Sequence, residues 1–169
     1  MTPDLDDVDR AVLTLLQSDG RMTNADLARS VGLSPAATHA RVRRLEREGL
    51  IRGYVALLDR ERAGFDLLCF VSVSLQLHQP QLVGSFPQRV SAMPEVLECH
   101  HVTGEYDYLL KVAVRNRQEL ERFIVERLTP IPGVAKVHTS LVLREQKATT
   151  ALPLAPADPS TSAPDGGPR

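Results

Sequence analysis

Residues Leu33–Tyr54 read LSPAATHARVRRLEREGLIRGY, and the order of residue types in this stretch decides the architecture of the first third of the chain. Ser34 is a helix N-cap, because its hydroxyl can accept from a free backbone N–H of the first turn. Pro35 fits the first helical position, where a missing N–H costs nothing. Arg41, Arg43, Arg44 and Arg47 follow on one helix, and Gly49 and Gly53 bound its exit. Just upstream, Thr23 to Ser30 (TNADLARS) predicts a short helix with Thr23 as cap and Asp26 three residues on, and Gly32 permits a tight turn. Two helices separated by a short Gly-containing turn form the helix-turn-helix pattern.

The faces of the second of these helices separate a DNA reader from a merely packed pair. Thr38, Val42 and Leu45 fall on one stripe at the 3.6-residue period. They match the stripe Val8, Val12, Leu15 and Leu16 of a helix expected over Asp6 to Ser18. The opposite side carries Ala36, Ala40, Arg43 and Arg47, flanked by His39 and Arg44. Small residues near the N-terminus allow close approach to base edges, and long cations further along reach phosphates. Arg43 is expected to influence sequence preference, and Arg44 and Arg47 to contact phosphate. The cap residues Thr23 and Ser34 complete the expected DNA-facing set. A solvated charged face is the bland alternative, since Glu46 and Glu48 dilute the arginines; cap, turn, Pro and segregated faces together favour DNA.

A formal net charge of -1 excludes a broadly basic, sequence-indifferent binder, so nucleic-acid contact must come from a local patch. Cys69 and Cys99 lack metal-ligand spacing and sit in apolar, strand-like surroundings, which predicts buried thiols in a reducing compartment. The polar start MTPDLDDVDR and the absence of a long apolar run predict a cytoplasmic protein.

Past Tyr54 the period changes from helical to alternating. Val71, Val73, Leu75 and Leu77 alternate with Ser72, Ser74, Gln76 and His78, the pattern of a strand with one buried face. A short helix is expected from Phe86 to Met93, with Ser85 as cap and Pro87 in the first turn. Strands over Val96 to Val102 and Tyr108 to Val114 flank the turn Thr103-Gly104-Glu105. Asn116 and Glu119 open a helix carrying Leu120, Phe123, Ile124 and Leu128, and Val134 to Leu143 forms a last strand. Strand-helix-strand-strand-helix-strand is the ferredoxin-like plan, an antiparallel sheet with both helices on one side and an open face suited to a second copy. Domains are expected at 1–50 (helix-turn-helix), 51–66 (a connecting strand or linker, of which Ile51 to Leu58 is too apolar for a free tether and is expected as a strand), 67–146 (ferredoxin-like) and 147–169 (a disordered Pro-rich tail).

With both halves read, the chain resembles the Lrp/AsnC family of bacterial and archaeal feast-or-famine transcription regulators, over about Leu5 to Lys147. The resemblance is carried by LDDVDRAVLTLLQSDGRMTNADLARSVGLSPAATHARVRRLEREGLIRGYVALLD, by PEVLECHHVTGEYDYLLKV and by GVAKVHTSLVL. It implies an α+β chain, a winged helix-turn-helix followed by a ferredoxin-like βαββαβ domain of the RAM/ACT-like kind. It also implies double-stranded DNA and an amino-acid effector as partners, and homodimers that assemble to octamers. Effector sites in the family lie at the dimer interface, which maps onto Thr103, Gly104, Glu105, Tyr106 and Asp107, with Thr139 and Ser140 on the facing last strand. The residues themselves leave an alternative open, an ordinary hairpin turn in which Asp107 ties down backbone. Gly84 and Pro87 depart from the family pattern and put the length of the first regulatory helix in question.

No cofactor, metal or catalytic group is expected. Cys99 and His101 would share one strand face while His100 points away, too few ligands for a closed zinc site. One enzymatic alternative comes from haem-pathway siroheme decarboxylases, which look like the same two-domain family; His100, His101 and His138 would then be the tetrapyrrole candidates. The exposed arginines argue against it, and no other catalytic constellation stands in the sequence.

Overall fold

The computed structural model describes residues 4–76 and 80–154. The expected strand positions Leu77 and His78, and the expected disorder of the tail from Ala155 on, lie outside the described residues. The chain folds as two compact units, one running to Ala56 and rejoined by the chain from Lys147, the other Leu57–Gln146.

The first unit packs three helices, α1 (Asp7–Ser18), α2 (Asn24–Val31) and α3 (Pro35–Arg47). Each begins on a side-chain cap. Asp6 and Asp9 exchange side-chain and backbone bonds at the start of α1, Thr23 accepts from the Asp26 N–H, and Ser34 accepts from the Ala37 N–H. Gly32, at φ 70°, ends α2 in the left-handed region that glycine adopts without penalty, and the Asn24 side chain donates to the Pro35 carbonyl at 2.8 Å, fixing the start of α3 against α2. Val12, Leu13, Leu27 and Leu45 form the buried core, with Val8, Leu15, Leu16 and Val42 packed around it, and Thr38 is fully buried. The stripes expected from the helical period are therefore the faces that meet.

No strand forms over residues 51–66. The expected connecting strand is instead an extended segment with Val55, Leu57 and Leu58 exposed, followed by a turn at 60–64. Apolar side chains alone do not make a strand, which exists only through a ladder partner, and none is offered among the described residues.

The second unit is a four-stranded antiparallel sheet, β1 (Leu67–Leu75), β2 (Val96–His101), β3 (Tyr108–Val114) and β4 (Val134–Leu141), in the order β2-β3-β1-β4. Helices α4 (Pro80–Ser91) and α5 (Arg117–Arg122), the latter continued by a π-helical turn Phe123–Leu128, supply the other layer. The core lies between sheet and helices, where Cys69, Val71, Val73, Leu110 and Val112 meet Phe86, Val90, Phe123 and Leu128. Helix α4 corrects an expectation: it begins at Pro80, six residues before the predicted Phe86, and Pro87 lies inside it. Phe86 and Val90, both fully buried and one turn apart, anchor the helix on the sheet and outweigh the missing proline N–H.

The tail expectation also needs correction as far as Leu154. Gln17 of α1 bonds the Leu152 backbone twice, accepting from its N–H at 2.6 Å and donating to its carbonyl at 3.2 Å, and Leu154 packs on the core of the first unit. Composition concealed this, because two leucines among prolines and alanines are enough to dock on a ready-made apolar edge.

Candidate nucleic-acid and effector sites

Helix α3 presents Ala36, His39, Ala40, Arg43 and Arg47 to solvent, and Thr23 and Ser34 stand exposed at the starts of α2 and α3. The spacing 36, 40, 43, 47 keeps these residues on one face, with small side chains at its N-terminal end. The Thr23 hydroxyl is committed locally: it donates to Asp26 Oδ2 at 2.5 Å and accepts from the Asp26 N–H. Ser34 is likewise engaged as a cap, 3.2 Å from the Ala37 N–H.

Arg44 departs from its expected role. Its guanidinium bonds Asp9, a carboxylate only 1% exposed, and lies 3.9 Å from Glu48. Arg41 bonds the same Asp9 and also Asp6, each at 2.7 Å. A buried carboxylate needs paired cations, so two of the four arginines of α3 are turned inward to lock α3 onto α1. The two arginines of α3 that remain outward are Arg47, which makes no ion pair among the described residues, and Arg43, whose guanidinium lies 3.6 Å from Glu46 and is 65% exposed. The Asp9 N–H bond, followed by Arg41, holds the Asp6 carboxyl below the usual range, and the two aspartates raise Arg41 further. Sequence reading missed this network because Asp6 and Asp9 look like ordinary first-turn acids; their distance of more than thirty residues from Arg41 and Arg44 leaves no local signal.

The second site is the β2–β3 turn. It is closed by the Val102 N–H donating to the Asp107 carbonyl at 2.9 Å, and Gly104 sits at φ 122°. A Cβ there would meet nothing within 4 Å, so glycine is required for its backbone angle and not for lack of space. Asp107 Oδ2 accepts from the Leu75 N–H at 2.7 Å, while the Asp107 N–H donates to the Val73 carbonyl at 3.0 Å; the carboxylate staples the turn onto β1. Of the two readings left open by the sequence, the geometry fills one oxygen with the structural one.

Around the turn, Lys136 Nζ bonds Glu105 at 2.8 Å and lies 5.1 Å from the Tyr106 ring centroid, and Tyr106 stacks on His138 at 6.1 Å. The Lys136 ammonium holds the Glu105 carboxyl below its ordinary range, and Glu105 raises Lys136 in turn. Thr103, Gly104 and Glu105 are exposed, Tyr106 and Asp107 half-buried. Thr139 and Ser140 do not join them within one chain. Thr139 pairs with Val71 on the helix-covered face, Ser140 pairs with Phe70 on the open face, and Ser140 lies four residues, about 13 Å, along β4 from Lys136. The β4 residues beside the turn are Lys136 and His138, which the sequence reading had not assigned to it.

The register puts Cys99 and His101 on the helix side opposite Leu110 and Tyr108, with His101 stacked on Tyr108 at 5.0 Å, and His100 on the open face opposite Leu109. There His100 bonds Glu98 at 3.0 Å, and His100 with Lys111 lowers the Glu98 pKa. His138 stands on β4, at the other edge of the sheet. The three histidines are thus spread over two faces and two edges about 14 Å apart, a poor cradle for a tetrapyrrole. Both cysteines are free, and burial pushes both thiols up. No described helix is long and apolar enough to cross a membrane.

Comparison with known proteins agrees with this division. Residues 5–52 match the winged helix-turn-helix DNA-binding model, and residues 68–152 match the Lrp/AsnC ligand binding domain. The leucine-responsive regulatory protein of Escherichia coli K12 is 42% identical over 149 residues, covering 88% of this chain and 91% of its own length. A transcriptional regulator from Neisseria meningitidis, solved as its L-methionine complex, superposes with a TM-score of 0.86 at 38% identity, covering 89% of this chain and 97% of its own. Escherichia coli AsnC superposes with a TM-score of 0.81 at 26% identity, covering 88% and 99%. Helix-turn-helix, ferredoxin-like sheet and full-length similarity together show that the chain belongs to the Lrp/AsnC family, as a DNA-binding transcriptional regulator responding to a small effector such as an amino acid.

Proposed function

We propose that the regulator reads double-stranded DNA with the α3 face Ala36, His39, Ala40, Arg43 and Arg47, while Thr23, Ser34 and Arg44 hold that face in place. The observation that carries this reading is the split of the α3 arginines, two bound inward to Asp9 and two left outward. In this reading Arg43 makes a bidentate contact to a base and Arg47 contacts a phosphate. Gel retardation of duplexes selected from a random pool tests it. Arg43→Ala costs about 1 to 3 kcal/mol against the selected site and little against scrambled DNA, whereas Arg47→Ala weakens both alike and lowers the salt slope by about one. Equal losses on both duplexes for both variants would remove the assignment.

The effector in this reading is a free amino acid bound between two copies. The turn Thr103 to Asp107 supplies backbone donors and the remaining Asp107 oxygen for the ammonium, and Lys136 supplies a cation for the carboxylate. Ser140, on the open face, completes the site from the last strand of a second copy, since one chain keeps it away from the turn, whereas Thr139 lies on the helix-covered face and supports that strand from behind. The open sheet face, with Phe70 39% exposed beside Ser72 and Leu109, is the dimer surface, and further association gives the octamer. The protein works in the cytoplasm without enzymatic activity. A thermal-shift screen of the free amino acids tests the effector, because a ligand at 100 times its Kd adds about 2.7 kcal/mol. A flat screen would withdraw the effector site, and light scattering from a monomer would withdraw the interface.

A further inference from the structure

We infer that Glu46, held by the Tyr54 hydroxyl, is a positioning and specificity-determining residue for Arg43. Among the described residues Arg43 pairs with Glu46 alone, its guanidinium 3.6 Å from Oε2. The other oxygen of the same carboxylate, Oε1, accepts from the Tyr54 hydroxyl at 3.2 Å. Tyr54, 48% exposed, lays one edge of its ring beside Gly20, just past the end of α1, 3.5 Å from where a Cβ there would stand. A chain of contacts therefore runs from the α1 exit through Tyr54 and Glu46 to the one outward arginine of α3 that carries an acidic neighbour. Burial, then the Glu46 charge, raises the Tyr54 phenol, in keeping with a hydroxyl that donates to an ionised carboxylate.

The chemistry of this chain has two consequences, both of which rest on the DNA-facing role given to Arg43. A long guanidinium side chain loses rotamer freedom on contact with a base, and a fixed carboxylate beside it restricts that freedom beforehand. The carboxylate also repels phosphate, so Arg43 gains less from indiscriminate backbone contact than a lone arginine would, and more of its advantage comes from a base edge. Because the pair is exposed and longer than a hydrogen bond, it releases the guanidinium readily when a base accepts it. Tyr54 also stands two residues before Ala56, where the chain passes from the first unit to the second, so the exit of the DNA-binding unit and the placement of Arg43 share one side chain.

Competition binding with the full-length protein tests this, using the tightest duplex selected from a random pool and a scrambled duplex of equal composition. Glu46→Gln is expected to bind scrambled DNA more tightly with a steeper salt dependence, and to lose about tenfold in the ratio between the two duplexes. Tyr54→Phe, which keeps the ring against Gly20 and removes only the hydroxyl, is expected to lower the ratio with the salt slope unchanged. A merely structural role would lower both affinities together and leave the ratio as it was. If Arg43→Ala lowers the ratio while Glu46→Gln and Tyr54→Phe leave ratio and slope at wild-type values, the positioning role is overturned and the α3 face stands. If Arg43→Ala itself leaves the ratio unchanged, the face assignment fails and the positioning role falls with it.

Discussion

Asp9 and Thr38 are the buried polar residues among those described, and Asp9 decides how the arginines of α3 are used. Asp9→Asn keeps the volume and removes the charge that Arg41 and Arg44 share, leaving Arg41 with Asp6 alone and Arg44 with only Glu48 at 3.9 Å. The expected loss is about 3 kcal/mol, the lower end of the range for breaking a buried pair, because both arginines retain solvent access. Urea denaturation followed by helical circular dichroism measures it. Asp6 gives a pH-dependent counterpart. Its folded pKa lies below the unfolded value, so its contribution is present above the ordinary carboxylate range and is lost as pH falls below about 4. Asp6→Asn retains an acceptor for the Asp9 N–H but loses the charge that Arg41 pairs, so the variant should melt below wild type at neutral pH, show a flatter fall of Tm between pH 5 and 3, and converge on wild type at the acid end. At this scale the sequence disclosed the caps, since Thr23, Ser34 and Asn116 act within three residues of themselves. It did not disclose which arginines turn inward, because that depends on a helix packed from more than thirty residues away.

Helix α5 and its π-helical continuation show where element boundaries were legible and where they were not. Asn116 caps α5 through the Glu119 N–H at 2.9 Å, as the motif predicts. The π turn follows from burial of both Phe123 and Leu128, five residues apart, a spacing that an α-helix would point to different sides. Sequence periodicity could not separate that from the ordinary stripe Leu120, Phe123, Ile124. The first four residues of β1 are silent for a related reason: Leu67-Leu68-Cys69-Phe70 is continuously apolar, so alternation becomes visible only at Val71. In α4 the start is again earlier than the pattern suggests, since a proline favours the first turn and Pro87 points to a helix from Phe86, although it stands eight positions into the helix. Pro87→Ala restores a backbone donor inside α4 at the cost of a freer unfolded chain. The variant should gain about 1 to 2 kcal/mol, the interior-proline penalty less the unfolded-state term. A midpoint unchanged or lowered in chemical denaturation would show that the proline ring itself packs productively beside Phe86.

The whole chain crosses between its two units twice, once at Ala56 and once at Lys147, and the second crossing ends on α1. Gln17 clamps both polar groups of the Leu152 backbone, and Leu154 joins Leu15, Leu16 and Val8 at the edge of the first core. Two exposed hydrogen bonds at about 0.5 to 1 kcal/mol each and a partly buried leucine at about 1 kcal/mol give the segment a modest but measurable hold. Ending the chain at Gln146 should therefore lower the unfolding midpoint of the DNA-binding unit by several degrees and leave that of the sheet unit unchanged. Gln17→Ala should produce part of the same shift, and should speed hydrogen exchange at the Leu152 amide, whose protection depends on that one side chain. Calorimetry of the full chain, the truncated chain and the Gln17 variant, with exchange followed by mass spectrometry, separates the cases. If truncation lowers both transitions equally, the segment stabilises the molecule without preference for the first unit. If Leu152 exchanges at the same rate in wild type and variant, the clamp on α1 does not persist in solution and the second crossing is a plain tether.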